Sequence, residues 1–217
     1  MGDPSGVGLS AMRETPHVTD ILLEPLGDAH LADVAAMFED ADVLRYTRIP
    51  DPVPPGWERE WLGFYEDGRR AGTREAFAVV DGDDGSFLGL ALAFDIDREG
   101  RQLELGYVVA PDARGRGVAT RALELLTEWA FAELDALRIA LWFSAENEAS
   151  KRVATNAGYQ YEGTIRSFHF KQGMREDFEI WSRLPADGCR LSFRADGLPR
   201  PDDPRRAPRA RRPDPRQ

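Results

Sequence analysis

Short apolar runs bounded by turn-forming residues alternate along the chain with longer stretches whose apolar positions recur every three or four residues. Residues 21–26 read as a first strand, after which Asp28 stands where it can cap a helix carrying Leu31, Val34, Ala35 and Phe38 on one face. The proline-rich stretch 51–56 leads into a second helix over residues 57–72. Residues 76–80 and 87–92 are strands, and the Asp/Gly turn 81–85 makes a hairpin the simplest connection. A fourth strand, 103–109, follows a turn near Glu99 and Gly100. After Pro111 the rhythm becomes that of an amphipathic helix over 117–134, with Ala122, Leu123, Leu126, Trp129 and Ala130 on one stripe. A strand over 138–144 and a helix over 149–156 follow, with Gly158 as a left-handed stop. Two strands, 159–170 and 175–183, close the domain around Gln172-Gly173. The order β-α-α-β-β-β-α-β-α-β-β predicts an α/β mixture with a partly antiparallel sheet.

This pattern occupies residues 20–184 and contains no internal repeat. Residues 1–19 hold no hydrophobic stretch after a basic start, so a flexible segment is expected there rather than a secretory leader. Gly6 stands where a myristoylation signal needs Ser or Thr. No apolar run approaches the ~18 residues of a membrane-spanning helix. The one cysteine, Cys189, excludes an internal disulfide and a multi-cysteine metal site, which makes a reducing cytoplasm the default. Residues 185–217 are Pro- and Arg-rich without apolar periodicity and are expected to be disordered. They carry nine Arg against five Asp, a net of +4, so the rest of this −10 chain carries −14. So acidic a body argues against nucleic acid as the main partner and suits cationic substrates such as amines, although acidity also simply aids solubility. The basic tail, with Arg205-Arg206 and Arg209 to Arg212, leaves docking on RNA or the ribosome as a minor alternative to plain solvation.

The densest chemical signal is Arg114-Gly115-Arg116-Gly117-Val118-Ala119-Thr120, between the strand ending at Val109 and the following helix. Glycines let backbone amides approach an anion, and the free N–H groups and dipole of a helix start favour negative charge. Arg114 and Arg116 can add charge-assisted bonds, and Thr120 a hydroxyl. A P-loop is excluded because no Gly-Lys-Ser/Thr follows. The dinucleotide fingerprint fails too, with Thr120 at its third small position. On spacing alone, a tight turn explains the glycines equally well.

Arg114-x-x-Gly117-x-Ala119 resembles the Arg/Gln-x-x-Gly-x-Gly/Ala signature of the GNAT superfamily of N-acetyltransferases. The stretch 105–111 (Leu-Gly-Tyr-Val-Val-Ala-Pro) is similar to the strand and loop that precede that signature. The segment 147–154, then Asn156-Ala157-Gly158-Tyr159 and residues 162–166, resembles the second conserved block in the branch that acetylates ribosomal-protein N-termini. The resemblance spans about residues 22–184. It implies a mostly antiparallel sheet of about seven strands with about four flanking helices, splayed between the fourth strand, which carries a bulge, and the fifth.

The same resemblance implies acetyl-CoA as co-substrate, no metal, and direct transfer of the acetyl group to a primary amine of a protein N-terminus or small molecule. Tyr107, Val108 and Val109 would bond the pantetheine arm, while Gly115, Gly117, Val118, Ala119 and Thr120 present amides to the pyrophosphate. Asn147 would contact the cofactor, or simply cap its helix. Glu104 and His169 are the candidate general bases, His169 standing where relatives of that branch often carry an acid. Ser150 would protonate the leaving thiolate, or bond only within its helix. Trp57, Trp61, Phe64 and Tyr65 would wall the acceptor pocket or serve as core, with Asp51, Glu58 and Glu60 drawing in a cation. The alternative function is a catalytically silent acyl-CoA-binding sensor or scaffold. A monomer or homodimer is expected, without membrane contact.

Overall fold

A computed structural model describes residues 20–171 and 173–188. Seven strands form one sheet in the order β1-β2-β3-β4-β5-β7-β6. β1 (Ile21–Pro25), β2 (Glu75–Asp81), β3 (Phe87–Asp97) and β4 (Gln102–Val109) pair antiparallel. β5 (Arg138–Ser144) lies parallel to β4, and β7 (Met174–Arg183) and β6 (Gln160–Lys171) continue the sheet antiparallel. A parallel pair needs a long crossover, and α4 (Val118–Glu133) supplies it. α1 (Leu31–Met37), α2 (Ala41–Tyr46) and α3 (Trp57–Ala71) lie between β1 and β2, and α5 (Glu148–Asn156) between β5 and β6.

Two apolar cores sandwich the sheet. Leu103 and Leu105 of β4 and Ile139 and Leu141 of β5 pack with Leu123, Leu126 and Ala130 of α4. Leu90 and Leu92 of β3 pack with Val34 and Met37 of α1 and Leu62 and Tyr65 of α3 on the other face. The α4 face therefore corresponds to the stripe read from the sequence. Within it, the Tyr159 hydroxyl meets Thr127 Oγ1 at 2.7 Å, and Thr127 also donates to the Leu123 carbonyl. Tyr159→Phe leaves Thr127 its backbone acceptor, so a loss of only about 1 kcal/mol in thermal or denaturant unfolding is expected.

Three features depart from the sequence expectation. Asp28 does not cap a helix: Gly27 takes the N-cap position of a 3₁₀ turn at residues 28–30, and Asp28 pairs with Arg59 at 2.7 Å. The chain then makes α1 and a separate α2, so five helices rather than four flank the sheet among the described residues. Asp40 breaks the helical run and caps α2, accepting from the Val43 amide at 3.0 Å. Lastly, the bulge expected on the fourth strand lies on β3. Phe94 faces Glu104 and Asp97 faces Gln102, leaving one extra β3 residue in between, and Asp95 there has φ 52°. Asp tolerates this left-handed conformation better than most residues.

Beyond Leu184 the chain continues into a 3₁₀ turn at Pro185–Gly188, where Asp187 accepts from the Leu184 amide and from Gln160. Residues 1–19, Cys189 and the arginine clusters of the tail lie outside the described residues.

Candidate active site

β4 and β5 pair only through Gln102, Leu103 and Glu104 with Arg138, Ile139 and Ala140. Beyond Glu104, β4 stays with β3, whereas β5 stays with β7. The strands splay, and the opening widens into a cavity of about 1000 Å³ reaching both faces of the sheet. Gly89 of β3 supports its wall, because with φ +152° and a Cβ it would run into the Val108 carbonyl oxygen of β4.

One end of the cavity is the start of α4. Gly115 and Gly117 have φ 75° and 85°, the left-handed region that glycine enters freely. Gly117 is the N-cap but offers no side chain to cap the helix, and the first turn contains no acidic residue. The first-turn amides therefore face the cavity beside Val118, Ala119 and Thr120, all of which line it. These residues fit a pyrophosphate. The two arginines of the motif are engaged elsewhere. Arg114 lines the cavity and binds Asp40 at 2.6 Å and Asp42 at 3.3 Å. Arg116 lies outside the lining and faces Asp81 at 3.6 Å.

Glu104, Tyr107, Val108, Val109, Asn147, Ser150 and His169 all line the same cavity. Glu104 stands where the strands part and also borders a second cavity of about 240 Å³, lined by Asp95, Gln102 and Trp142. Burial pushes its carboxyl up to about 7, with Arg48 opposing and Asp95 reinforcing the rise. A carboxyl poised near neutrality suits general-base work. His169, opposite Glu176 across the β6–β7 ladder, has its pKa lowered, chiefly by burial and then by Arg48. It is neutral at physiological pH and also able to accept a proton. Asn147 does cap α5, accepting from the Ser150 amide at 3.0 Å. Tyr107 sends its hydroxyl into a buried position where it makes no hydrogen bond of full geometry among the described residues. Burial raises it to about 12, and the Ser150 side chain beside it opposes that rise.

The opposite end is aromatic. Trp57, Trp61, Phe64 and Tyr65 all line the cavity, yet Tyr65 is also buried core and Trp61 packs against it at 4.6 Å, so the stripe serves both purposes. Of the three acids expected nearby, Glu60 lines the cavity, whereas Asp51 and Glu58 do not. No local pattern announces Arg48, which enters from the loop after α2, or the tethers that hold α2 across the cleft. Arg114 holds Asp40 and Asp42 on one side, and Arg45 reaches Glu146 at 2.9 Å. Lys171 donates to the carbonyl oxygens of Leu44 and Thr47 and, at 3.2 Å, of Ile49. These contacts join residues more than 70 positions apart, beyond the reach of any sequence periodicity.

Residues 20–160 match the model of the acetyltransferase (GNAT) domain. YdaF of Bacillus subtilis (strain 168), named provisionally as a ribosomal N-acetyltransferase, is 30% identical over 182 residues, covering 77% of this chain and 91% of that protein. Spermidine N(1)-acetyltransferase of Escherichia coli (strain K12) is 27% identical, covering 73% of this chain and 82% of the relative. The same fold occurs in spermidine N-acetyltransferase from Vibrio cholerae in complex with CoA and spermine, with TM-score 0.68 and 21% identity over 77% of this chain and 96% of that one. RimL, the ribosomal L7/L12 alpha-N-protein acetyltransferase in complex with coenzyme A, matches with TM-score 0.71 and 17% identity over 78% and 97%. With its split seven-stranded sheet, its glycine-rich helix start opening on the cavity and this family match, the chain belongs to the GNAT family of N-acetyltransferases.

Proposed function

We propose that the protein transfers the acetyl group of acetyl-CoA directly to a primary amine, a peptide N-terminus or a small amine, within a ternary complex in a reducing cytoplasm. The observation that carries this reading is the single cavity joining the free first-turn amides of α4 to Glu104 at the point where β4 and β5 part. Val118, Ala119 and Thr120 hold the pyrophosphate, and the open edge of β4 at Tyr107, Val108 and Val109 orients the arm leading inward. Acetyl-CoA supplies the acyl carbon as a thioester.

A protonated amine cannot attack. Glu104, buried yet ionised above about pH 7, takes that proton and leaves the nitrogen lone pair free. The second cavity on its far side gives the proton a route outward. Glu104 is preferred to His169 because it sits on the strand that orients the thioester, whereas His169 lies across the cleft on β6. The aromatic wall and Glu60 receive the acceptor.

Purified protein mixed with acetyl-CoA and a panel of peptide N-termini, polyamines and small amines tests the reading. Thiol release together with the mass gain of one acetyl group on an acceptor is the expected result. Tight CoA binding with no transfer to any member would instead support a silent acyl-CoA-binding module.

A further inference from the structure

We infer that Tyr107 is a catalytic residue whose hydroxyl holds the departing thiolate by a hydrogen bond, with Ser150 beside it, so that the sulfur leaves as an anion and not as a thiol. The inference rests on the direct-transfer reading above and adds a leaving-group site to it.

The two faces of the sheet carry different proton chemistry. Glu104 and Tyr107 are three residues apart on β4, so their side chains point to opposite faces. Glu104 lies among Arg48, Asp95 and Tyr65, on the side of α3. Tyr107 packs with the core under α4 and α5, where Ser150 lies in the first turn of α5. An amine deprotonated on one face enters the acyl carbon from that side, and the leaving sulfur swings toward the other. Both faces open into the same cavity.

On the leaving side the Tyr107 hydroxyl is buried with no full hydrogen bond among the described residues. Leaving a buried hydroxyl unmet is costly, which is why such groups usually have partners. By contrast, Tyr159, packed in the same core, satisfies its hydroxyl through Thr127. The Tyr107 hydroxyl has only the Ser150 side chain beside it among the described residues, which leaves its donor available to a ligand in the cavity.

Its acidity then decides what kind of help it gives. A phenol raised to about 12 is a far weaker acid than a thiol, whose ordinary value is near 8.5, so full proton transfer to sulfur runs uphill. A donor of this kind stabilises the developing charge and keeps its proton. The balance is closed. The ammonium first gives one proton to Glu104, which passes it to solvent through the second cavity. The nitrogen lone pair then bonds to the acyl carbon, the C–S bond breaks with its electron pair on sulfur, and the second proton leaving nitrogen goes to the regenerated Glu104 carboxylate. The thiolate gains its own proton from water on release. Ser150, expected as a proton donor, becomes the second hydrogen bond instead.

The test compares CoA with desulfo-CoA, which lacks only the sulfur, by titration of the intact protein between about pH 6.5 and 9.5, a range that spans the ordinary thiol value. In the parent protein CoA should gain on desulfo-CoA as pH rises, because the site favours thiolate. Tyr107→Phe should flatten that gain to within about threefold. It should also lower kcat for acetyl transfer about 10–100-fold, the range of a hydrogen bond to a charged group, with KM for acetyl-CoA within about twofold. Because the hydroxyl has no full partner among the described residues, the Phe variant should keep or raise its Tm, which separates a chemical from a folding defect. Ser150→Ala should weaken the same pH-dependent gain by a smaller factor. An equal loss of affinity for CoA and desulfo-CoA would place the hydroxyl on the pantetheine arm and overturn the inference, as would an unchanged pH response. If Tyr107 controls the thiolate but no amine is acetylated, the inference stands and the direct-transfer function fails. If the Phe variant acetylates as fast as the parent, the transfer function stands and the inference fails.

Discussion

Glu104→Gln is expected to lower kcat about 10²–10⁴-fold, the usual contribution of a positioned general base, while leaving acetyl-CoA binding nearly intact. The parent enzyme should show an acidic limb in kcat/KM with a midpoint near pH 7, since Glu104 is held at about 7 and must be ionised to accept a proton. The variant should lose that limb. Stability should move the other way. Between pH 4.5 and 7 the folded chain holds on to the Glu104 proton that the unfolded chain releases, so Glu104 makes folding less favourable as pH rises through that window. At pH 8 the charged, largely buried carboxylate costs up to ~3 kcal/mol, and a neutral amide removes this cost. A variant that is slower yet melts higher at pH 8, with the gain vanishing below about pH 5, is the signature. Wild-type turnover by Glu104→Gln would move the base to His169, whose own variant then becomes decisive.

Lys171→Met should act on the acceptor and spare the cofactor. The ammonium closes the turn between α2 and α3 onto β6 through three backbone carbonyls, and burial lowers its pKa, with Asp51 and Glu176 opposing. A hydrogen bond to a charged group contributes about 1.5–3 kcal/mol when well formed. The loss of all three therefore releases the segment that carries Arg48 into the cavity. An increase of at least about tenfold in acceptor KM is expected, with CoA affinity changed less than threefold, both measured by titration and steady-state kinetics. Equal losses for both substrates would show that the tether supports the whole cleft and not the acceptor side alone.

The sequence disclosed the parts of this molecule whose signals are local. The stripe of Ala122, Leu123, Leu126 and Ala130 marked α4 because one helix face must be apolar to lie on the sheet. Gly115 and Gly117 marked the turn into α4 because positive φ restricts the residue choice. Asn147 could be read as cap or cofactor contact, and its bond to the Ser150 amide shows that capping is realised. What stayed hidden depends on tertiary placement. Asp40 divides one helix into two only because its side chain turns back to Val43 and also meets Arg114, 74 residues away. The bulge at Asp95 is a matter of pairing between strands, and no composition rule places it on β3 and not on β4. Glu104 is a candidate base in the sequence only through the family resemblance, because the burial that raises its carboxyl and the parting of β5 beside it have no local signal.

The gap between β4 and β5 also has a mechanical side. β1 to β4 pair with antiparallel neighbours, and β5, β7 and β6 do likewise, so each group is held by its own ladder of backbone bonds. The two groups meet in a parallel pairing of three residue pairs, with the whole of α4 as the crossover. Past that short joint, the spacing of the two half-sheets rests on side chains, with Leu105 and Leu141 packed in one core with Leu123 and Leu126 of α4. The width of the opening is therefore set by the volume of a few aliphatic groups, and a change of one of them is felt across the cleft without breaking either ladder.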